Sequence, residues 1–299
     1  MDTEMIVTTE FLDKNNIEEI PDVCNEDGEW LLTYLVMDRA LQEVCHLYKV
    51  FRYNHDTLLK EYNFFISDNF VRKTRNNQYD DFISINALTM NYISSSKVLI
   101  SAMENYEKLF TKQEKTEFKE KFIEKEYDKY FSYRLMDMVR NCSQHGTLPV
   151  STQDNKVSFD IEQMLNLIHF NYKKSFKQEL LRLIDEVAQK YKTPFKISYM
   201  YCIPEYNYVV SDLYYEFWGH IKKYIKEISI KLNEILERNP QLYLGEVIGF
   251  RYDGSEHLIV GDTDIMGFVK KCKEEANEIR KMEQKEWFSI RKKFKESKK

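Results

Sequence analysis

The sequence predicts a mainly α-helical fold with a small antiparallel β-sheet late in the chain. Of the 299 residues only 8 are glycine and 5 are proline, so few residues are available to punctuate many short strands. Long segments carry apolar residues at helical spacing, and strand-like patterns appear only after Gly146. The hydrophobic share of 43% and the charged share of 31% are typical of a globular protein with a real core.

The first half of the chain is predicted to be helical. A polar stripe at helical spacing predicts a helix over 30–51, and a second helix is predicted over 57–70. After the polar segment 72–81, helices are predicted over 81–110 and 113–142. The connection between these two is short, which makes them an antiparallel pair.

The second half mixes helices with short strands. The predicted elements are strands over 147–151 and 156–160, a helix over 161–191, a strand over 195–203, a helix over 207–238 that begins after a break at Pro204, a hairpin formed by 243–252 and 256–260, and a final helix that Asp262 or Thr263 can cap. This pattern predicts a small antiparallel sheet in the C-terminal half.

The net charge of −5 conceals an acidic start and a basic end. Residues 1–30 hold ten acidic side chains against one lysine, and residues 279–299 hold nine basic side chains against three acidic ones. A basic terminal helix can meet phosphate, and an acidic arm can cover such a surface, although solvated helix faces explain the same counts. We divide the chain into an acidic arm (1–26), a helical domain (27–193) and a C-terminal helical region with the hairpin (194–299).

Several classes of protein are disfavoured. No apolar run reaches the roughly 18–20 residues that span a bilayer, and the acidic start does not fit a secretory signal, so a cytoplasmic protein without membrane contact is expected. The five cysteines are scattered, and there is neither a C-x-x-C motif nor a histidine pair at ligand spacing. No glycine-rich loop opens a helix after a strand. We therefore expect no disulfide framework, metal or other cofactor.

Three Arg–His pairs, each with four to six residues between its members, are the candidates for chemistry. Chance alone predicts about 0.7 such pairs, so context must choose among them. The pair at 39 and 46 lies on the polar stripe of the first helix, where a solvated face explains it. The pair at 251 and 257 straddles the hairpin turn, which by itself is expected to bring the two side chains close. The pair Arg140 and His145 lies where a helix ends, beside the hydrogen-bonding side chains of Asn141 and Gln144.

The segment Arg140-Asn141-x-x-x-His145 resembles the active-site signature of HEPN (higher eukaryotes and prokaryotes nucleotide-binding) domains, many of which are metal-independent endoribonucleases. The flanking residues 139–150 and the upstream segment 86–96 resemble stretches of uncharacterised bacterial proteins, so the likeness covers roughly residues 80–150. It implies an HEPN-like antiparallel helical bundle that cleaves RNA in a toxin or phage-defence setting. It also implies a homodimer with a shared active site and leaves room for a regulatory partner protein.

These residue types suit metal-free RNA cleavage, in which the 2′-hydroxyl attacks the adjacent phosphate. The step needs a proton acceptor and donor near neutral pH, a role that fits His145. It also needs fixed positive charge at the phosphate, a role that fits Arg140, with Asn141 orienting either group. Asn91, Ser95 and Gln144 are candidates to support this pair or to contact RNA. Close helix packing explains Asn91 and Ser95 equally well.

Five steps along a continuous helix separate the side chains of Arg140 and His145 by about 140°. Either the helix ends between them, or residues from two chains complete the site. Two other functions remain open. One is a non-catalytic HEPN-like module that binds a partner protein or RNA. The other is a nucleic-acid-binding protein that acts through the basic C-terminal helix, although the acidic net charge counts against it.

Overall fold

The computed structural model describes a large part of the chain. The described residues are 20–67, 78–111, 116–144, 146, 148–152, 156–167, 178, 181–183, 185–186, 196–244, 247–260 and 264–296. Within them the fold is mainly helical, with two small antiparallel sheets in the C-terminal half, which confirms the predicted class.

The main elements follow one another along the chain. The helices are α1 (Asn25–Ile66), α2 (Gln78–Thr111), α3 (Glu124–Lys129), α4 (Phe131–Gln144), α5 (Ile161–Leu167), α6 (Tyr199–Arg238) and α7 (Ile265–Glu296). The strands are β1 (Val150–Ser151), β2 (Ser158–Asp160), β3 (Lys196–Ser198), β4 (Tyr243–Leu244), β5 (Val247–Tyr252) and β6 (Ser255–Val260). A π-helical turn (Lys119–Ile123) precedes α3, and a 3₁₀ turn (Pro240–Leu242) precedes β4.

Helix α1 joins two segments that the sequence predicts as separate helices. The prediction of a break between 51 and 57 is wrong, because the intervening residues include neither glycine nor proline and continue the buried face. Phe51, His55 and Leu58 are all buried at the spacing of successive helical turns.

The prediction of a single helix over 113–142 is also wrong. Tyr130 has extended backbone angles, φ −107° and ψ 121°, and separates α3 from α4. The new helix start is stabilised from outside, since the buried Glu205 carboxylate accepts the Ser132 N–H at 3.1 Å near the N-terminus of α4.

Helices α2 and α4 form the predicted antiparallel pair. Lys97 on α2 contacts Asp137 on α4, and farther along α2 Glu104 contacts Lys119, which precedes α4 in the chain. Residue numbers therefore rise along one segment as they fall along the other. The geometry places the end of α4 beside the first half of α2.

Helix α6 replaces most of the strand predicted over 195–203. Of the described residues in that range, only Lys196–Ser198 are extended, and Pro204 lies inside the helix rather than before it. The alternating pattern also contains a helical one, because Tyr199, Cys202 and Tyr206 share a fully buried face. Burying each large apolar side chain is worth about 1.5–3 kcal/mol, which together outweighs the roughly 3 kcal/mol cost of an internal proline.

Both sheets have three strands in sequential antiparallel order. The hairpin of β5 and β6 confirms the predicted turn, whose residues Asp253 and Gly254 both have positive φ, 51° and 73°. The prediction of one strand over 243–252 is wrong, because Tyr243–Leu244 form a separate strand that pairs antiparallel with the start of β5. Asp264 accepts the Gly267 N–H at 2.8 Å at the start of α7. The predicted caps Asp262 and Thr263, and most of the helix predicted over 161–191, lie outside the described residues.

The chain forms two compact units, each built from two stretches of sequence. Unit 1 comprises the described parts of 1–43 and 218–273, and unit 2 those of 44–217 and 274–299. The core of unit 2 is rich in aromatic residues; its fully buried rings include Tyr92, Tyr133, Tyr199, Tyr206 and Phe217. Among the described helices, none is both long and apolar enough to cross a membrane.

Candidate functional site

Helix α4 ends four residues after Arg140. Its last helical residue is Gln144, and Gly146 follows with φ +90°, a backbone conformation that glycine adopts without a side-chain clash. The Gly146 N–H donates to the Ser143 carbonyl at 3.2 Å. The described helix therefore extends two residues beyond its predicted end at 142, and His145 lies outside the described residues.

Arg140 is half-buried and has no carboxylate partner within the described part of the chain. Its nearest acidic neighbour along the helix is Asp137, one turn earlier on the same face. That carboxylate is already engaged, since Lys97 Nζ lies 2.5 Å from its Oδ1 atom. Among the described residues, no carboxylate therefore neutralises the guanidinium charge of Arg140.

A buried tyrosine lies within electrostatic reach of this charge. The Tyr206 hydroxyl lies 2.5 Å from the Ser96 hydroxyl oxygen. Burial raises the pKa of Tyr206, while the bond to Ser96 lowers it; the Asp137 charge raises it and the Arg140 charge lowers it. The net effect raises the pKa, so the buried phenol stays neutral.

The chain beyond the motif is fastened to α2 by Asn86. The Asn86 amide oxygen accepts the Val150 N–H at 3.0 Å, and the amide nitrogen donates to the Val150 carbonyl at 2.9 Å. Asn86 is fully buried. Since β1 begins at Val150, this pair of bonds anchors the end of the segment that connects α4 to the sheet.

The remaining predicted residues differ in their surroundings. Asn141 is half-buried and Gln144 is exposed, both in the last turns of α4. On α2, Asn91 is exposed, whereas Ser95 is half-buried and its hydroxyl donates to the Tyr92 carbonyl at 2.8 Å. The Ser95 hydroxyl therefore donates its hydrogen bond within its own helix, and this bond does not connect Ser95 to Arg140 or Asn141.

The other two Arg–His pairs have ordinary surroundings. Arg39 and His46 are both exposed on α1. Arg251 lies opposite Glu256 in the hairpin, 2.7 Å from its carboxylate, and His257 lies opposite Phe250 with the rings stacked at 5.1 Å. Because successive residues of a strand face opposite sides, the expectation that Arg251 and His257 lie close together is wrong.

Comparison with known proteins adds no relative. The sequence matches no protein-family model, and neither the curated proteins nor the solved structures include a match. The HEPN resemblance consequently depends on the motif and its flanking residues.

A second polar cluster lies inside unit 2, around the buried carboxylate of Glu283 on α7. Arg52 and Asn207 both donate hydrogen bonds to it. His55 is buried nearby, with its Nδ1 atom 3.3 Å from the Asp56 carboxylate. Burial lowers the pKa of His55, against the raising effect of the Glu283 charge. Each charge in this cluster has a partner, so we assign it a structural role.

Within the described residues, the end of α4 presents the Arg140 guanidinium, a group that can bind an anion. Sequence reasoning identified Arg140 and Asn141 but missed Lys97, Asp137 and Tyr206. Asp137 carries a readable signal, since it lies three residues before Arg140 and thus on the same helix face. Lys97 and Tyr206 carry none, because only the tertiary packing of α2 and α6 brings them to α4.

Proposed function

We propose that this protein is an HEPN-like, metal-independent endoribonuclease that acts in a toxin or anti-phage setting. The observation that carries the proposal is Arg140, a half-buried cation whose nearest carboxylate on α4 is paired with Lys97. A guanidinium left without a carboxylate can bind a phosphate through two parallel hydrogen bonds. The residue that follows the helix end is His145, a proton carrier at neutral pH.

In the proposed reaction, a base removes the proton from the ribose 2′-hydroxyl, whose oxygen attacks the adjacent phosphorus. The bond from phosphorus to the 5′-oxygen breaks, and this oxygen takes up a proton. The products are a cyclic phosphate and a 5′-hydroxyl end. His145 transfers protons, Arg140 stabilises the charge on the phosphate oxygens, and Asn141 orients one of them. Two chains are proposed to complete the site as a homodimer.

The test is cleavage of total RNA by the purified protein in excess EDTA, with the new ends identified chemically. We expect Arg140→Ala and His145→Ala each to lower the rate by about 100-fold or more. The matched controls are Arg39→Ala and His46→Ala, which remove the same residue types from the exposed face of α1. These controls are expected to retain full activity.

Each other outcome contradicts a defined part of the proposal. Equal activity in all four variants would remove the site assignment. Loss of cleavage by the unmodified protein in EDTA would remove the metal-free mechanism. Absence of cleavage, together with no mutant-dependent toxicity in cells, would favour the non-catalytic module that binds a partner protein or RNA.

A further inference from the structure

Helix α7 has one side that is firmly packed into unit 2. Trp287 is buried and stacks on Tyr208 at 5.2 Å between ring centroids, with Tyr130 edge-on at 5.7 Å. Glu283, one turn earlier, accepts hydrogen bonds from Arg52 and Asn207. These contacts fix the rotation of the helix about its axis, and hence determine which side chains face outward.

The outward side is strongly basic. We call the set Lys281, Lys285, Arg291, Lys292 and Lys293, together with the ring of Phe288, the basic face. All five cations are exposed, and the one exposed carboxylate between 281 and 293 is Glu286, because Glu283 is buried against Arg52. Among the described residues, Lys281, Lys285 and Lys293 form no ion pair. Positive charge is therefore concentrated here on a chain whose net charge is −5.

The three lysines at 281, 285 and 292 form a row along the helix. Their positions fall within about 40° of one another around the axis and span about 16 Å along it. A row of this length can contact several consecutive phosphates of one nucleic-acid strand, which carry closely spaced negative charges.

An aromatic ring is exposed within this row. Phe288 is 50% exposed, and its ring stacks on the buried Trp287 with 4.8 Å between ring centroids. The contact with Trp287 holds the ring in place, and the other part of the ring is accessible to solvent. Exposed rings beside cations are typical of surfaces that bind single-stranded nucleic acid, where bases stack on the ring and phosphates pair with the cations. The guanidinium of Arg291, 5.5 Å from the Trp287 ring centroid, extends the same arrangement.

A membrane surface fits these observations less well. An interfacial helix inserts a broad apolar face into lipid, whereas the apolar side of α7 is already occupied by contacts of Trp287 and Ala276 inside the protein. Outside that side, Met282 and Phe288 are the exposed large apolar residues among the α7 side chains that the structure describes. The exposed cations of the basic face, together with the ring of Phe288, favour binding of a nucleic-acid strand over binding of a membrane.

We propose that the basic face of α7 binds single-stranded RNA. This inference deepens the proposed function, since it names the surface that holds the substrate, but the surface is defined independently of Arg140 and His145. The binding is expected to be tolerant of sequence, because phosphate contacts and stacking read no base edges.

The experiment measures binding of a fluorescent single-stranded RNA by anisotropy at several salt concentrations, using His145→Ala protein so that the RNA stays intact. We expect the triple variant Lys281→Glu/Lys285→Glu/Lys292→Glu to bind about 10-fold more weakly or worse. The slope of log affinity against log salt concentration should become shallower by about two, because three phosphate contacts are lost. Phe288→Ala should weaken binding about fivefold or more with an unchanged salt dependence.

The matched control is Lys49→Glu/Lys60→Glu/Lys226→Glu, which makes the same change in net charge at exposed lysines on α1 and α6. Equal weakening in the control would show a general charge effect and overturn the inference, as would unchanged binding in the α7 variant. Binding to phosphatidylglycerol vesicles but not to RNA would also overturn it.

Cleavage by the unmodified protein is recorded separately. If the protein binds RNA but the unmodified chain does not cleave it, the proposed function is contradicted. If the unmodified chain cleaves RNA but the α7 substitutions do not weaken binding, only this inference is contradicted.

Discussion

At the scale of single residues, Asn86 holds the segment after the motif by two hydrogen bonds to the backbone of one residue of β1, Val150. We expect Asn86→Ala to lower the free energy of unfolding by about 2–4 kcal/mol, because it leaves two buried backbone groups of Val150 without partners. Urea denaturation measures this effect, and Asn91→Ala, an exposed asparagine on the same helix, is the control. An equal effect in both variants would contradict the anchoring role.

The buried His55 makes stability depend on pH. Its pKa in the folded protein is lowered by burial, so between its ordinary value of 6.5 and that lower value the unfolded chain binds a proton that the folded protein excludes. The contribution of His55 is therefore present above pH 6.5 and is lost as pH falls through the folded pKa. Arg52, Asp56 and Glu283 are the charged groups that act on it.

The measurement is urea denaturation from pH 7.5 to pH 5 for the unmodified protein and for His55→Gln. Carboxyl groups with raised pKa values, such as Glu126 and Glu286, change stability in the opposite direction, so the difference between the two proteins isolates His55. We expect the advantage of the unmodified protein to shrink towards pH 5. A constant difference would contradict the assignment.

The motif residues were readable from the sequence because they are consecutive or nearly so. Arg140 and Asn141 lie in one turn, and the stop signal at Gly146 is local. The ion pair that engages Asp137 involves Lys97, which lies far from it in the sequence, and no local pattern specifies whether Asp137 pairs with Lys97 or with Arg140. That choice depends on packing between α2 and α4.

At the scale of elements, the end of α4 depends on the backbone of Gly146. A Cβ atom there would meet no atom within 4 Å, so any cost of a substitution comes from φ +90° alone. We expect Gly146→Ala to lower the free energy of unfolding by about 1–2 kcal/mol and Gly146→Asn by less, because asparagine tolerates left-handed backbone better. Thermal denaturation of the three proteins checks this order. Equal stability of all three would contradict it.

Local pattern predicted where helices exist better than where they end. The segment 195–203 satisfied both the two-residue period of a strand and the helical spacing of Tyr199, Cys202 and Tyr206, and tertiary burial selected the helix beyond Ser198. Conversely, the break at Tyr130 has no glycine or proline to announce it. It coincides with the cap that Glu205, a residue on a different helix, provides to α4.

At the scale of the whole molecule, the proposed dimer makes a quantitative prediction. If Arg140 of one chain works with His145 of the other, mixing inactive Arg140→Ala and His145→Ala chains restores cleavage. Half of the randomly formed dimers are mixed, and each mixed dimer has one complete site of two, so about a quarter of the unmodified activity is expected. RNA cleavage after co-refolding measures it.

Exchange of differently tagged unmodified chains is the control for mixing. No restoration despite full exchange would place both residues of each site in a single chain, and it would remove the shared-site part of the proposal.

The three tryptophans are divided between the two units, Trp30 and Trp218 in one and Trp287 in the other. Trp287 stacks on Tyr208 and on the half-exposed ring of Phe288, with the Arg291 guanidinium nearby. Its indole emission is consequently an intrinsic optical reporter of the outer surface of α7. In a Trp30→Phe/Trp218→Phe protein, Trp287 is the remaining tryptophan. A ligand that stacks on Phe288 would change its fluorescence, so that binding could be followed without an attached dye.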